Sequence, residues 1–456
     1  MIWGVLLSVC SILAIVFWSS HLGKAGSKTG AGLVSGLILG TIIGGACTIG
    51  TAQLAFLYGM SAWWYCLGAG LACLVLAFGF SNAIRKENGR TLLGIVGKEY
   101  GRRVGLYASF LNSVGTFINI LSQLIAATSV IAVIAPNMSL VSALFLSMFF
   151  MAAYVVVGGS KGAGMAGLVK LVLIYISMVV CGYLVLKMSG GLGAVIDGVQ
   201  TLTQTTGINY LSLFGRGVGV DLGACASLIV GVTTTQIYAQ ALTNAKDDRS
   251  ARLGALVSSI MVAAIGAGGV LVGLYMRMHF PEIPAKTALT QFVLNYIPGT
   301  LGGIVLGTLL ITVVACGAGL TLGIATIINK DIIQAYTKRF SDVRRQLVLQ
   351  KVLIIAVLFV ATIFCILLEN DVILSYAYLS MALRGTVVLA PLCCALWLKG
   401  QIKGYYALGC VFLGPISVVL LKSIGFSAFD PLFVGLGLTF VLMGVGFVRN
   451  LSLIHI

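Results

Sequence analysis

Gly44-Gly45-Ala46-Cys47-Thr48-Ile49-Gly50-Thr51-Ala52-Gln53 lies inside an apolar segment, 33–58. It puts three glycines, two threonines and a glutamine where bilayer depth is expected. Glycine lowers helix stability by about 1 kcal/mol relative to alanine. Irregular backbone is tolerated in hydrocarbon only where it is buried in protein or lines a cavity. The reading is a helix broken near the midplane, with freed carbonyls and Gln53 aimed at something polar, as in secondary transporters. A stripe of small residues for helix packing is the bland alternative. A stripe has no need of an amide, so Gln53 weighs against it.

The rest of the chain fits a membrane setting. It is 59% hydrophobic and 9% charged, and its apolar runs are long enough to span as helices. They do not alternate as barrel strands would. The net charge of +16 does not imply nucleic acid, because basic cytoplasmic loops account for it. The 11 cysteines fall in apolar segments and read as small hydrophobes rather than a disulfide framework. His21, His279 and His455 form no metal cluster. Residues 1–20 lack a basic n-region and a small-residue cleavage site, so they read as a retained helix.

Apolar runs set against charged loops give about 13 helices: 1–21, the broken 33–58, 62–83, 104–134, 139–158, 163–188, 221–241, 253–277, 300–329, 350–368, 372–397, 404–423 and 430–448. Between them lie a short loop with Lys24 and Lys28, a basic loop from Arg85 through Arg90 to Arg103, and a Gly/Thr-rich loop over 189–220. A proline-bearing loop around Pro281, Pro284 and Pro298 precedes a second basic loop, from Lys330 through Lys338 and Arg339 to Arg345. Most Lys and Arg sort to one side when the N-terminus is outside and the C-terminus cytoplasmic, which satisfies the positive-inside rule. The expected location is the plasma membrane, multi-pass, with the bilayer and a small solute as partners. The tail 451–456 is assigned no role.

Two basic side chains lie well inside helices. Intramembrane charge is costly, so each is a functional candidate by default. Lys170 sits about seven residues into its helix, roughly 10 Å at 1.5 Å per residue; it either snorkels to the interface or faces the bundle interior where a metal ion would otherwise sit. Arg384 either caps carbonyls at a helix break, meets Glu369 or Asp371, or receives a solute carboxylate. Asn112, Thr116, Asn119 and Gln123 share one helix face, which hydrogen-bonds to other helices or lines a pathway. Thr233-Thr234-Thr235-Gln236 forms another polar cluster.

The run Gly44-Gly45, Ile49-Gly50-Thr51-Ala52, Tyr58-Gly59 and Ser61-Ala62-Trp63-Trp64 resembles the signature of the sodium:solute symporter family. Weaker matches follow in order: Tyr154 with Gly158-Gly159, Gln240 with Ala245-Lys246, Lys330-Asp331-Ile332, Pro391, and the Lys399–Lys403 loop. The resemblance covers nearly the whole chain. It implies an all-α integral membrane protein, 1–456 as one unit. Its core would be two inverted five-helix repeats containing broken helices, over 33–188 and 221–397. An extra helix at 1–21 would precede them and two peripheral helices at 404–448 would follow. It implies a cation site with carbonyls of Ala46 and Ile49 facing Thr312, Ala315 and Cys316. It also implies that Gln53 and the Thr234–Gln236 region face substrate; Asn119, from its helix face, joins them as a candidate.

The chain departs from the family pattern at that site. Ala315 and Cys316 stand where two hydroxyl residues are usual. Ala166-Gly167-Leu168-Val169-Lys170 stands where the family carries T-D-x-I-Q, so glycine replaces the aspartate and lysine the glutamine. Sodium is a hard cation, and these changes remove oxygen ligands while adding a fixed positive charge. The expectation is that Lys170 replaces the sodium ion, reaching the carbonyls of Ala46 and Ile49, as in amino-acid transporters of a related fold that this arrangement resembles. Transport would then be sodium-independent: proton-coupled, exchange or facilitated. Across this reading and its alternatives the coupling ion is Na⁺ or H⁺, and no cofactor is expected. An ordinary sodium symporter with a degenerate site, or a solute sensor on the same scaffold, are the alternatives. An enzyme is disfavoured because no carboxylate lies at depth, and ATP-driven pumping because no phosphate-binding loop is present.

Overall fold

The computed structural model describes residues 3–11, 14, 29–87, 91–333, 343–367, 372–426 and 429–454. Lys24, Lys28, Arg90, Lys338, Arg339, Glu369, Asp371 and two of the three histidines, His21 and His455, lie outside them.

The decisive stretch is broken. Helix α1, Ala31–Ile42, stops at Ile43, whose backbone is extended. The chain resumes as a π turn over Ala46–Gly50 and continues as α2, Thr51–Tyr58. The glycines at the break allow close approach: a Cβ on Gly45 would lie 2.4 Å from the Ala126 methyl, and one on Gly44 2.6 Å from Cys316. Gly59, at φ +68°, then turns the chain, a conformation glycine adopts without a Cβ clash. The chain doubles back as α3, Trp64–Val75, bringing the Cys66 sulfur to 3.9 Å from Thr51 Oγ1.

Helices α4, Ser81–Arg85, and α5, Leu92–Tyr100, follow. Next come α6, Arg102–Ile134, and α7, Leu140–Ser189. The second half holds α9, Val218–Thr233, α10, Gln236–Thr243, and α11, Asp248–His279; α8, Leu192–Thr206, precedes them. After these come α12, Ala288–Tyr296, α13, Gly299–Ile327, and α14, Val343–Leu367. The chain ends in α15, Ile373–Trp397, α16, Gly404–Ser423, and α17, Pro431–Ile454. Among the described residues, nine helices are long and apolar enough to cross a bilayer, and the bent pair α9–α10 makes a tenth. The fold is all-α and multi-pass, with broken helices in both halves.

Five expectations about the elements are corrected. The loop expected over 189–220 contains α8, because Leu192, Val195, Ile196, Val199 and Leu202 repeat at helical spacing. Gly191 and Gly207, both at positive φ, flank it. The basic and proline-bearing loops likewise contain α5 and α12. The helix expected over 221–241 is two helices bent by 51° at Thr234–Thr235. The helices expected over 139–158 and 163–188 are one hydrogen-bonded element, α7; glycines weaken a helix without removing its N–H donors, so a glycine run need not end it.

Candidate functional site

A helix C-terminus leaves four carbonyls without an intrahelical partner. In α1 these are 39–42, at the break, and each is satisfied differently. Leu39 O accepts from Ile43 N at 2.8 Å. Gly40 O accepts from Lys170 Nζ at 2.5 Å. Thr41 O accepts from the Cys316 thiol at 3.0 Å, and Ile42 O from the Cys47 thiol at 3.2 Å. Lys170 Nζ also lies 3.4 Å from Thr312 O on α13. The lysine is fully buried. One ammonium on α7 therefore joins the end of the broken helix to α13, and its charge sits at the negative end of the α1 dipole.

Beyond the break, Gly45 N donates to Gln123 Oε1 on α6 at 2.9 Å. Gly44 O accepts from Thr48 Oγ1 at 3.0 Å, and Gly45 O from Gly50 N at 2.8 Å. Ala46 O accepts from the Thr51 hydroxyl at 3.1 Å and from its N–H. The expected contact of Lys170 with Ala46 and Ile49 is thus corrected. Both residues belong to the π turn, where the Ala46 carbonyl is already bonded, and the unmatched carbonyls lie earlier, on α1. Of the α13 candidates, Thr312 lends its carbonyl, Cys316 donates its thiol, and Ala315 lines a cavity of about 120 Å³ between α1, α7, α10 and α13.

The second break has its own satisfaction pattern. The carbonyls at the end of α9 are taken by local threonines: Thr234 Oγ1 donates to Val230 O at 2.8 Å and Thr235 Oγ1 to Gly231 O at 2.6 Å. Arg384 Nη1 on α15 donates to Thr235 Oγ1 at 2.6 Å, and its Nε to Ser380 O at 3.3 Å. Gln236 Oε1 accepts from Leu92 N at 2.7 Å and so holds the head of α5. Thr235, Gln236 and Arg384 line a small cavity of about 20 Å³ with Asn112 and Thr116.

The other candidates sit elsewhere. Gln53 is buried and its Oε1 accepts from Ile373 N at 3.0 Å, holding the start of α15. Asn119 Oδ1 accepts from Ser122 Oγ at 3.0 Å, so the polar face of α6 divides. Asn112 and Thr116 serve the cavity, while Asn119, Ser122 and Gln123 serve the first break.

Sequence reasoning missed the role of Gln123, although its place on the α6 polar face was the available signal. It also missed a polar cluster near the start of α9. There Asp221, fully buried, pairs with Arg216 at 2.6 Å and accepts from Ser61 Oγ at 2.9 Å. The Arg216 guanidinium lies 5.7 Å from the Tyr378 ring centre.

Two solved structures share this architecture. A Na⁺-coupled sialic acid symporter, substrate-bound and outward-open, aligns with a TM-score of 0.79 at 14% identity, covering 98% of this chain and 96% of that one. Mhp1, a nucleobase-cation-symport-1 family transporter in a closed conformation with bromovinylhydantoin bound, aligns with a TM-score of 0.62 at 13% identity, covering 94% of each chain. No curated protein matches the chain. The model of the sodium:solute symporter family matches residues 25–410, and with the broken helices in both halves of the fold this places the protein: it belongs to the sodium:solute symporter family.

Proposed function

We propose that this family member is a plasma-membrane secondary transporter that moves a small polar solute by alternating access without sodium. The ammonium of Lys170 takes the position of the cation. The observation that carries this is the bridge from Lys170 Nζ to Gly40 O and Thr312 O. Sodium between the same helices would need oxygen ligands from both. The chain offers a methyl at Ala315, and the Cys316 thiol already donates to Thr41 O. The carbonyls that the two helices do present there, Gly40 O and Thr312 O, are already engaged by the ammonium, and neither side-chain position adds an oxygen ligand. A lysine can lose its proton in a buried site, and losing it would release α1 from α13 in step with the transport cycle. Proton coupling, exchange or facilitated transport follows.

One observation favours ordinary sodium coupling instead: the Thr312 hydroxyl is buried with no partner among the described residues. Solute uptake into proteoliposomes separates the two, with sodium and pH gradients imposed independently and Lys170→Ala run beside the parent. The expected result is uptake indifferent to sodium and lost in the variant. Uptake that follows the sodium gradient and survives in Lys170→Ala would sink the proposal and leave the second reading.

A further inference from the structure

Among the described residues, Arg384 is a buried cation with no counter-ion. It is 1% exposed. Its protein partners are a hydroxyl and a carbonyl, Thr235 Oγ1 and Ser380 O, which use two of the five N–H groups a guanidinium presents. Neither partner is charged. Lys170 differs, because its ammonium meets the carbonyl end of a helix. At the end of α9, Val230 O and Gly231 O accept from threonine hydroxyls and Val232 O from Thr235 N, so Arg384 bonds none of these three carbonyls directly. A guanidinium taken out of water without such compensation is expensive to hold. Room was nevertheless made for it: Gly115 faces its side chain, and a Cβ there would lie 2.6 Å from Arg384 Cγ.

A second, independent feature points into the same cavity. Helix α10 begins at Gln236, and its cap residue Thr235 gives no side-chain bond to the helix. The N–H groups of Gln236 and Ile237 have no partner among the described residues. A helix head with free N–H groups favours an anion. The first break contrasts with this, since its Gly45 N–H is taken by Gln123. Asn112 Oδ1, in the same cavity lining, has no partner among the described residues; as an acceptor it suits a donor group on a bound molecule, such as a hydroxyl or ammonium, and not an anion. Ile237, Leu320 and Ile327 add an apolar lining to the cavity.

We infer that the transported solute carries a carboxylate, held by the Arg384 guanidinium and the head of α10, with its organic remainder against Leu320 and Ile327. This names the solute class of the transporter proposed above and rests on that reading. A planar guanidinium and a carboxylate match in a two-point hydrogen-bonded pair. In the present conformation the cavity holds about 20 Å³, too little for an organic acid, so it must widen to admit one. Ile237 and Gly319 line both it and the 120 Å³ cavity beside α1, and displacement of Ile237 would join the two.

The test uses the purified full-length protein. Pooled amino, hydroxy, keto and aromatic acids are compared with pools of the corresponding carboxamides, and with inorganic phosphate and sulfate. Thermal protection in detergent and uptake in proteoliposomes are both read. An acid pool should protect and be taken up while its carboxamide pool does neither. Arg384→Gln should raise the half-protecting concentration by about tenfold to a hundredfold, with Arg384→Lys between. Asn112→Asp guards against a misfolded arginine variant: a carboxylate fixed beside Arg384 should keep or raise the thermal midpoint yet abolish protection by acids. Uptake of a carboxamide pool as fast as its acids, unchanged affinity in Arg384→Gln, or protection by inorganic anions alone would each overturn the inference. Uptake of neutral solutes would leave the transporter reading standing. Absence of uptake from every pool under every gradient would overturn both.

Discussion

At the scale of single residues, the site is a problem of satisfying backbone groups. Breaking a helix in a bilayer strands donors and acceptors that water cannot reach, and specific side chains here answer specific atoms. Cysteine does so twice, at Thr41 O and Ile42 O, although its thiol is a weak donor. Gln123 answers the Gly45 N–H. Replacing it by leucine keeps much of the volume and leaves a buried N–H unpaired, at a cost of about 1–3 kcal/mol. Gln123→Leu should therefore lower the thermal midpoint of the purified protein, whereas Gln350→Leu, at a half-buried position, should not. The break at 43–45 was legible from its glycines and threonines. The role of Gln123 was not: its place on the polar face of α6 marks it as facing something polar, but its partner lies 78 residues away in sequence.

At the scale of elements, the ends of helices are clasped by charge outside the bilayer. Glu87, just past α4, accepts from Lys399 at 2.5 Å and pairs with Lys98 at 3.3 Å. It thereby ties the α4–α5 segment to the α15–α16 turn. The Lys399 hydrogen bond above all, with Lys98 behind it, holds the Glu87 carboxyl below its ordinary range despite the opposing effect of burial. A carboxylate with a lowered folded-state pKa stabilises the fold above the unfolded value, about 4.3, and loses that contribution as pH falls through the folded one. Glu87→Gln should thus have a lower thermal midpoint than the parent at neutral pH. The gap should close progressively below about pH 4; a gap constant with pH would mean that charge is not what Glu87 contributes. Elements also account for the main misreadings. The helices α5, α8 and α12 hide in stretches rich in glycine, proline or charge, where an apolar-run reading sees loops.

At the scale of the whole molecule, two broken helices, one in each half, meet side chains from elsewhere in the bundle. α1 is held by α7 and α13 through Lys170, and the α9–α10 bend is held by α15 through Arg384. A third cluster, Ser61–Asp221–Arg216, ties the turn before α3 to the start of α9. Asp221 is fully buried and the Arg216 side chain 12% exposed, so removing one charge strands the other. Asp221→Asn should cost about 3–5 kcal/mol, read as a fall in thermal midpoint, and the double variant Asp221→Asn/Arg216→Gln should recover part of it. Equal midpoints for the single and double variants would show that the two side chains are not coupled.

A multi-pass helical membrane protein, a break within 33–58, and Lys170 and Arg384 as the intramembrane cations to explain are all legible in the sequence alone. Composition, apolar run length and misplaced polar residues are properties of a segment, and they are written locally. The tertiary structure decided which carbonyls Lys170 reaches, that Gln53 and Gln236 hold the starts of other helices, and that the helix over 221–241 bends at Thr234–Thr235. Those outcomes depend on which helix lies opposite which, to within an ångström. Such distances arise from packing summed over the bundle, not from the residues on either side of a site.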